Sequence, residues 1–267
     1  MFKLKGKVFD RLAARFRVPA LEESQADLGV WFTTPLGKAL YKAESQVCSR
    51  DAFNIPGYRA VQLSISPCHT LLEALPHKHK FILSSVIDEM AACLCDYKAL
   101  PLPSGTLDSV LLHHVLDFSP EPHRLLNESA RIVSAGGYII IVGFNPYSLF
   151  GISKWLAGLV TRQQVWRHNS LRRARLIDWL QLIGFQLVAS ETGRFGGLTD
   201  KRRQLRLPEL VLEWLRRRIS SGAFYVIVAR KQTAPLTPTR DAVWQTVKIP
   251  RLAGLKAIRQ GDTGDQK

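Results

Sequence analysis

Between about residues 55 and 190 the apolar positions come in two alternating rhythms, short near-continuous runs and longer stretches spaced three or four apart. Buried parallel strands produce the first rhythm and helices with one covered face the second, so the pattern predicts strand-helix-strand units on a parallel sheet. Arg59 to Ser64, opened by Pro56-Gly57, reads as the first strand, and Phe81 to Leu83, Ala91 to Cys95 and Leu107 to Leu112 as the next three. Ser66-Pro67 reads as an N-cap with proline at the first helical position, and Leu71, Leu72 and Leu75 form the buried side. Pro120 and Pro122 open a helix carrying Leu125, Leu126, Ala130 and Val133, which Gly136-Gly137 ends before a strand from Tyr138 to Val142. Ser170 caps a further helix with Leu171, Ala174, Ile177 and Leu180 on one side, closed by Gly184 and followed by a strand, Phe185 to Ala189. Pro208 to Arg218 reads as a helix and Ala223 to Ala229 as the last strand.

The two ends differ from this middle. Residues 1–50 read as a helical extension, with Phe9, Leu12, Ala13 and Phe16 as an apolar stripe that packs on the core; residues 51–231 form the main domain. From Gln232 to Lys267, Pro, Thr and Gly are scattered without period, as in a flexible basic tail.

Composition narrows the class. With 46% apolar residues in 267, the chain buries a substantial core. Its longest nearly uncharged apolar stretch, Ile132 to Phe144, falls short of the roughly 20 residues a membrane-spanning helix needs. No long apolar segment follows the basic N-terminus, so a secretory signal is not expected and the cytoplasm is the expected compartment. Cys48, Cys68, Cys93 and Cys95 lack the paired CxxC spacing of a zinc site, so no metal is expected, and Cys93 and Cys95, facing the same way in an apolar run, are expected as buried thiols rather than metal ligands.

The net charge of +15 is concentrated late: residues 1–153 hold 15 Lys/Arg against 14 Asp/Glu, residues 154–267 hold 22 against 8. A field of that sign favours an acidic partner, nucleic acid or an anionic surface. Arg172, Arg173 and Arg175, then Lys201, Arg202, Arg203 and Arg206, then Arg216 to Arg218, are its candidate contacts; solvated helix faces account for them equally.

Chemistry-bearing residues collect at the ends of the expected strands. Asp96-Tyr97-Lys98-Ala99-Leu100-Pro101 follows the third, Leu107-Asp108-Ser109-Val110 opens the fourth, and His113-His114-Val115-Leu116-Asp117 ends it. Pro122 to Glu128 with Arg131, Gly136-Gly137-Tyr138, and Phe144-Asn145-Pro146-Tyr147 follow. In this series Cys95 to Gly151 resembles the methyltransferase type 11 branch of the class I S-adenosylmethionine-dependent methyltransferases, in the manner of an uncharacterised bacterial subgroup. The resemblance extends from about 55 to 231. It implies an α/β fold with a doubly wound, mostly parallel seven-stranded sheet, Rossmann-like, with a reversed last strand. It also implies S-adenosylmethionine as cofactor and an unknown methyl acceptor.

By that resemblance Asp96 accepts a hydrogen bond from the adenine amino group, with Tyr97 beside it, and His113 lies near the methionine end. Ser64, Ser66 and Ser84 complete the expected cofactor contacts. His113, His114 and Asn145 are the candidate catalytic residues, since an imidazole is able to position a substrate or take its proton; a structural role fits each histidine equally. The family's first loop carries glycines that admit backbone amides to the cofactor, whereas here it reads Ser64-Ile65-Ser66-Pro67-Cys68-His69, and Ser84-Ser85 stands where a ribose-binding acid is expected. Two functions follow as alternatives. One is methyl transfer; the other is a lapsed methyltransferase-like protein that binds nucleic acid or an acidic surface through its basic half.

Overall fold

A computed structural model describes residues 18–50, 55–66, 69–148, 169, 171–193 and 222–232. Seven strands form one sheet: β1 Arg59–Ser64, β2 His79–Ser84, β3 Cys93–Leu94, β4 Leu107–His113, β5 Val133–Phe144, β6 Phe185–Gly193 and β7 Phe224–Lys231. Their order is β3-β2-β1-β4-β5-β7-β6. The first five run parallel, and β7 is antiparallel to both β5 and β6. β1, β4 and β7 are almost wholly buried, which is why their sequences are unbroken apolar runs. Each fully buried Leu, Ile or Val among them contributes about 1.5–3 kcal/mol relative to exposure.

Among the described residues the α-helices are α1 Leu21–Thr33, α2 Pro35–Cys48, α3 Val115–Phe118, α4 Pro122–Ile132 and α5 Arg173–Leu182. Thr34 ends α1 and caps α2, its hydroxyl accepting from the Gly37 amide at 3.2 Å, with Pro35 in the first turn. At this corner the chain folds back so closely that a Cβ on Gly37 would stand 2.5 Å from the Phe32 Cα and the Trp31 carbonyl oxygen. The resulting helical hairpin carries Gln25 and Glu44 onto the carboxyl ends of the strands: Gln25 bonds the Ser64 carbonyl and Glu44 bonds His113 and His114. Among the described residues no helix is long and apolar enough to cross a membrane.

Several sequence expectations change here. Ser66 starts a turn, but among the described residues no α-helix follows, and the regular element there between β1 and β2 is the single 3-10 turn Leu72–Ala74. The Gln62 side chain is the reason, because its Oε1 accepts from the Leu71 amide at 2.8 Å and its Nε2 donates to the His69 carbonyl at 3.0 Å, pairing groups a helix would use. Leu71, Leu72 and Leu75 are buried as expected. α4 stops at Ile132, and Val133, Gly136 and Gly137 belong to β5, where an irregular register opposite Leu107 to Ser109 absorbs the glycines. β3 shrinks to two residues at the sheet edge, leaving Cys93 exposed and Cys95 half-buried where the sequence predicts buried thiols; Cys48, on α2, is buried.

α5 begins at Arg173 with no side-chain cap, Ser170 lies outside the described residues, and Ala174 is exposed while Leu176 and Leu180 are buried. Gly184 closes α5 at φ +85°, as its position after the apolar run predicts. The stripe from Phe9 to Phe16, the helix expected over Pro208 to Arg218, Cys68, the clusters at 201–206 and 216–218, and the tail beyond Gln232 lie outside the described residues.

His77 adds a pH dependence. Its ring is 3% exposed, and neither ring nitrogen has a hydrogen-bond partner. Burial holds its pKa below the ordinary imidazole value; Asp108 opposes this and Lys80 reinforces it. A base with a depressed folded-state pKa takes its proton more readily when unfolded, so its contribution is present above about pH 6.5 and fades as pH falls. Urea midpoints at pH 5.5 and 7.5 are therefore expected to differ less in His77→Phe than in the wild type. An unchanged difference would remove this account of His77.

Candidate functional site

The strand order reverses between β1 and β4, and in open α/β sheets ligands bind outside the carboxyl ends at such a point. Ser64 and His113 are cross-strand partners at those two ends. Ser84 ends β2 beside them and Asp96 follows β3, so the expected cofactor residues do line up along one edge of the sheet.

What lies over that edge is the chain itself. Gln25 of α1 donates to the Ser64 carbonyl at 3.2 Å and accepts from the Ser85 hydroxyl at 3.0 Å. The Tyr97 hydroxyl donates to the Leu83 and Ser64 carbonyls at 2.7 and 3.1 Å, and burial pushes its pKa well above the ordinary phenol value. Phe32 is buried with its ring centroid 5.0 Å from that of His69 and 5.8 Å from that of His113. Ser64 and Ser84 are fully buried and Ser66 nearly so. Their hydroxyls serve local turns, Ser66 with the His69 ring at 3.0 Å and Ser84 with the Val86 amide at 3.2 Å.

Below the hairpin lies a buried polar cluster. Glu44 of α2 sits between two imidazoles, its Oε2 3.0 Å from His113 Nε2 and its Oε1 2.7 Å from His114 Nε2. His113 Nδ1 stands 3.1 Å from the Ser64 hydroxyl and His114 Nδ1 3.0 Å from Asp117 Oδ2. Asp117 also accepts from the Phe144 amide, and Phe144 stacks on the His114 ring at 4.1 Å. His114 holds a left-handed backbone, φ 56°, the only non-glycine residue with positive φ among those described. Such a conformation costs about 1–3 kcal/mol and persists only where its surroundings impose it. Here Glu44, Asp117 and Phe144 do so.

Burial alone would raise the Glu44 carboxyl, but the His114 charge and hydrogen bonds from both rings hold it well below the ordinary range. Burial likewise opposes charge on His114, yet Glu44 and Asp117 outweigh it and raise that imidazole to about 9. His113 is lowered, by burial first and by His114, against the pull of Glu44.

Asn145 is not part of this cluster. Its side chain donates to the Gly222 carbonyl at 2.9 Å and accepts from the Tyr147 amide at 3.1 Å, fixing the turn after β5 against the start of β7. Asp96 is exposed, and its carboxylate accepts from the Lys98 amide at 2.9 Å. The cavity it borders, with Leu21, Tyr97, Ser119 and Leu125, measures about 40 Å³. A larger open groove of about 440 Å³ lies at Thr70, Phe81, Ile82 and Met90 and contains none of the expected cofactor residues.

Comparison with known proteins assigns this sheet. Residues 58–141 match the model of a methyltransferase domain family. That segment resembles a methyltransferase domain, and the sheet has the fold of the class I S-adenosylmethionine-dependent methyltransferases. Among solved structures the chain resembles an S-adenosylmethionine-dependent methyltransferase of Thermotoga maritima, described as a possible histamine N-methyltransferase. That match has a TM-score of 0.56 at 20% identity and covers 76% of this chain and 93% of that one. It also resembles geranyl diphosphate C-methyltransferase of Streptomyces coelicolor, solved with S-adenosyl-L-homocysteine bound: TM-score 0.50, 14% identity, 71% and 79% coverage. In sequence it is 28% identical over 207 residues to the uncharacterized protein YafS of Escherichia coli K12, covering 78% of this chain and 82% of that protein.

The cofactor of the methyltransferases it resembles does not fit the space beside Asp96 in this arrangement. Drug-sized ligands occupy roughly 300–1,000 Å³, and the space beside Asp96 is an order of magnitude smaller. Gln25, Phe32 and Glu44, which close the site, escaped the sequence reading. A signal for Glu44 existed: it lies four residues after Leu40 and four before Cys48, both buried, so it is an acid on the apolar face of a helix.

Proposed function

We propose that this chain is an S-adenosylmethionine-dependent methyltransferase whose Leu21–Cys48 hairpin closes the cofactor place and must withdraw before cofactor enters. The alignment of Ser64, Ser84, Asp96 and His113 along consecutive strand ends, in a family whose members use that edge, carries this reading. The hairpin meets the edge through Gln25, Phe32 and Glu44 and packs Leu28 and Leu40 into the core, so the open form is a small minority that cofactor binding would select. Calorimetry of the full chain with S-adenosylhomocysteine tests it. Weak binding with one site is the expected result, because affinity is reduced by the fraction of open molecules. No binding at millimolar ligand, either in the wild type or in the loosened hairpin variant described below, would sink the reading.

A second reading is favoured by the closed edge itself: the fold is kept as a scaffold and methyl transfer has lapsed. Its working surface would then be basic. Arg172, Arg173 and Arg175 are exposed, Arg172 lies over the Tyr147 ring at 5.4 Å and Arg175 over Trp179 at 5.3 Å, and cations paired with aromatic rings suit nucleic acid or another acidic partner. Failure of cofactor binding together with salt-dependent binding of RNA or DNA would establish it.

A further inference from the structure

The hydrogen count in the buried cluster is inconsistent with ordinary neutral imidazoles. The Ser64 hydroxyl has one hydrogen and places it on the Ser66 carbonyl oxygen, 2.8 Å away. It is therefore an acceptor toward His113, and His113 Nδ1 carries a hydrogen. His114 Nδ1 faces the Asp117 carboxylate and carries one for the same reason. A neutral imidazole has only one N–H, so both Nε2 atoms then present bare lone pairs to the two oxygens of Glu44. Protons alone repair this by making His114 cationic and turning the Ser64 hydroxyl toward His113 Nδ1, which leaves a charged ring fully buried with its centroid 4.9 Å from that of His113. A metal ion repairs it with each ring neutral.

We propose that Glu44, His113 and His114 form a site for a divalent transition-metal ion, bound through a Glu44 carboxylate oxygen and the two Nε2 atoms. One donor atom from each residue can be chosen so that all three lie within 4.8 Å of one another. Two donors about 2.1 Å from one ion and at right angles to each other stand about 3 Å apart; each Nε2 faces its own Glu44 oxygen, Oε2 at 3.0 Å and Oε1 at 2.7 Å, and a small turn of the carboxylate presents one oxygen to an ion between the rings. The other nitrogen of each ring donates outward, to the Ser64 hydroxyl and the Asp117 carboxylate, the arrangement that fixes the tautomer of a ligating histidine. Two imidazoles and one carboxylate suit a borderline ion such as Zn²⁺, Fe²⁺ or Co²⁺ rather than Mg²⁺ or Ca²⁺. The cysteines are not involved; the ligands come from α2 and the end of β4, and the ion enters as the hairpin docks.

The inference is independent of methyl transfer, since its test contains no cofactor. The full chain, stripped with a chelator and dialysed, is titrated with Zn²⁺ and separately with Co²⁺. About one equivalent of Zn²⁺ per chain is expected, together with a Co²⁺ visible band and an X-ray absorption spectrum containing imidazole ligands. Glu44→Gln, which removes the anion but keeps the shape, is expected to weaken binding at least tenfold, and Ser64→Ala about 10–100-fold. Folded wild-type protein that retains less than about a tenth of an equivalent at micromolar metal overturns the proposal. So does a bound ion whose spectrum contains no imidazole, or Zn²⁺ binding unchanged in folded Glu44→Gln. The wild-type spectrum decides the matter alone if the variants do not fold.

Discussion

Replacing Glu44 with alanine is expected to destabilise the protein by about 3–5 kcal/mol, the cost of removing one member of a buried charged pair and leaving its partners unsatisfied. Glu44 is fully buried and bonds both His113 Nε2 and His114 Nε2. Without it those two rings face a void, His114 keeps its left-handed backbone with one support fewer, and α2 loses its polar attachment to β4. In a domain of this size the loss corresponds to a fall in Tm of roughly 6–20 °C. Glu44→Gln is expected to lose much less, about 1–2 kcal/mol, because the amide keeps the shape, its oxygen still accepts from His114, and its NH2 donates to His113 Nε2 once that ring moves its hydrogen to Nδ1. Urea unfolding of the three proteins checks the order wild type, Gln, Ala. An alanine variant within about 1 kcal/mol of wild type would mean that the cluster does not hold the hairpin in place.

Phe32→Ala is expected to tighten S-adenosylhomocysteine binding by about a hundredfold. Truncating a buried phenylalanine costs about 3–5 kcal/mol, and here the cost falls on the closed hairpin, because the Phe32 ring packs against Trp31, His69 and His113 over the strand ends. Apparent affinity scales with the open fraction, and each 1.4 kcal/mol of lost closure raises that fraction about tenfold until the open form predominates. Gln25→Ala removes the bonds to the Ser64 carbonyl and the Ser85 hydroxyl and is expected to act in the same direction by about tenfold. Calorimetry beside a thermal melt separates tighter binding from unfolding. Two folded variants that bind no cofactor would show that closure is not what excludes it, and the scaffold reading would stand.

The strands were the most legible part of the chain. Arg59–Ser64 has the predicted bounds, and Phe81 to Leu83 and Leu107 to Leu112 lie inside β2 and β4. Central strands report themselves because both faces are buried, so every residue of the run obeys one constraint. Ser66-Pro67 misled because a capping signal states only that a helix is able to start, whereas Gln62, from the preceding strand, captures the backbone groups that would continue it. Cys93 misled because alternation in a short run does not distinguish a central strand from a two-residue edge.

The sequence by itself determined the α/β class, the order of the main elements, and the placement of Ser64, Ser84, Asp96, His113 and His114 at the ends of strands. Only the tertiary structure decided what those residues touch. Glu44 meets His113 and His114 across 69 and 70 residues, and Gln25 meets Ser64 across 39. Hydrophobic periodicity reports the average environment along one element and is blind to which element covers it. The pairing of α1 and α2 with the strand ends follows from how separately formed elements pack, and that packing turns an expected cofactor edge into a closed one with a buried Glu-His-His cluster beneath it.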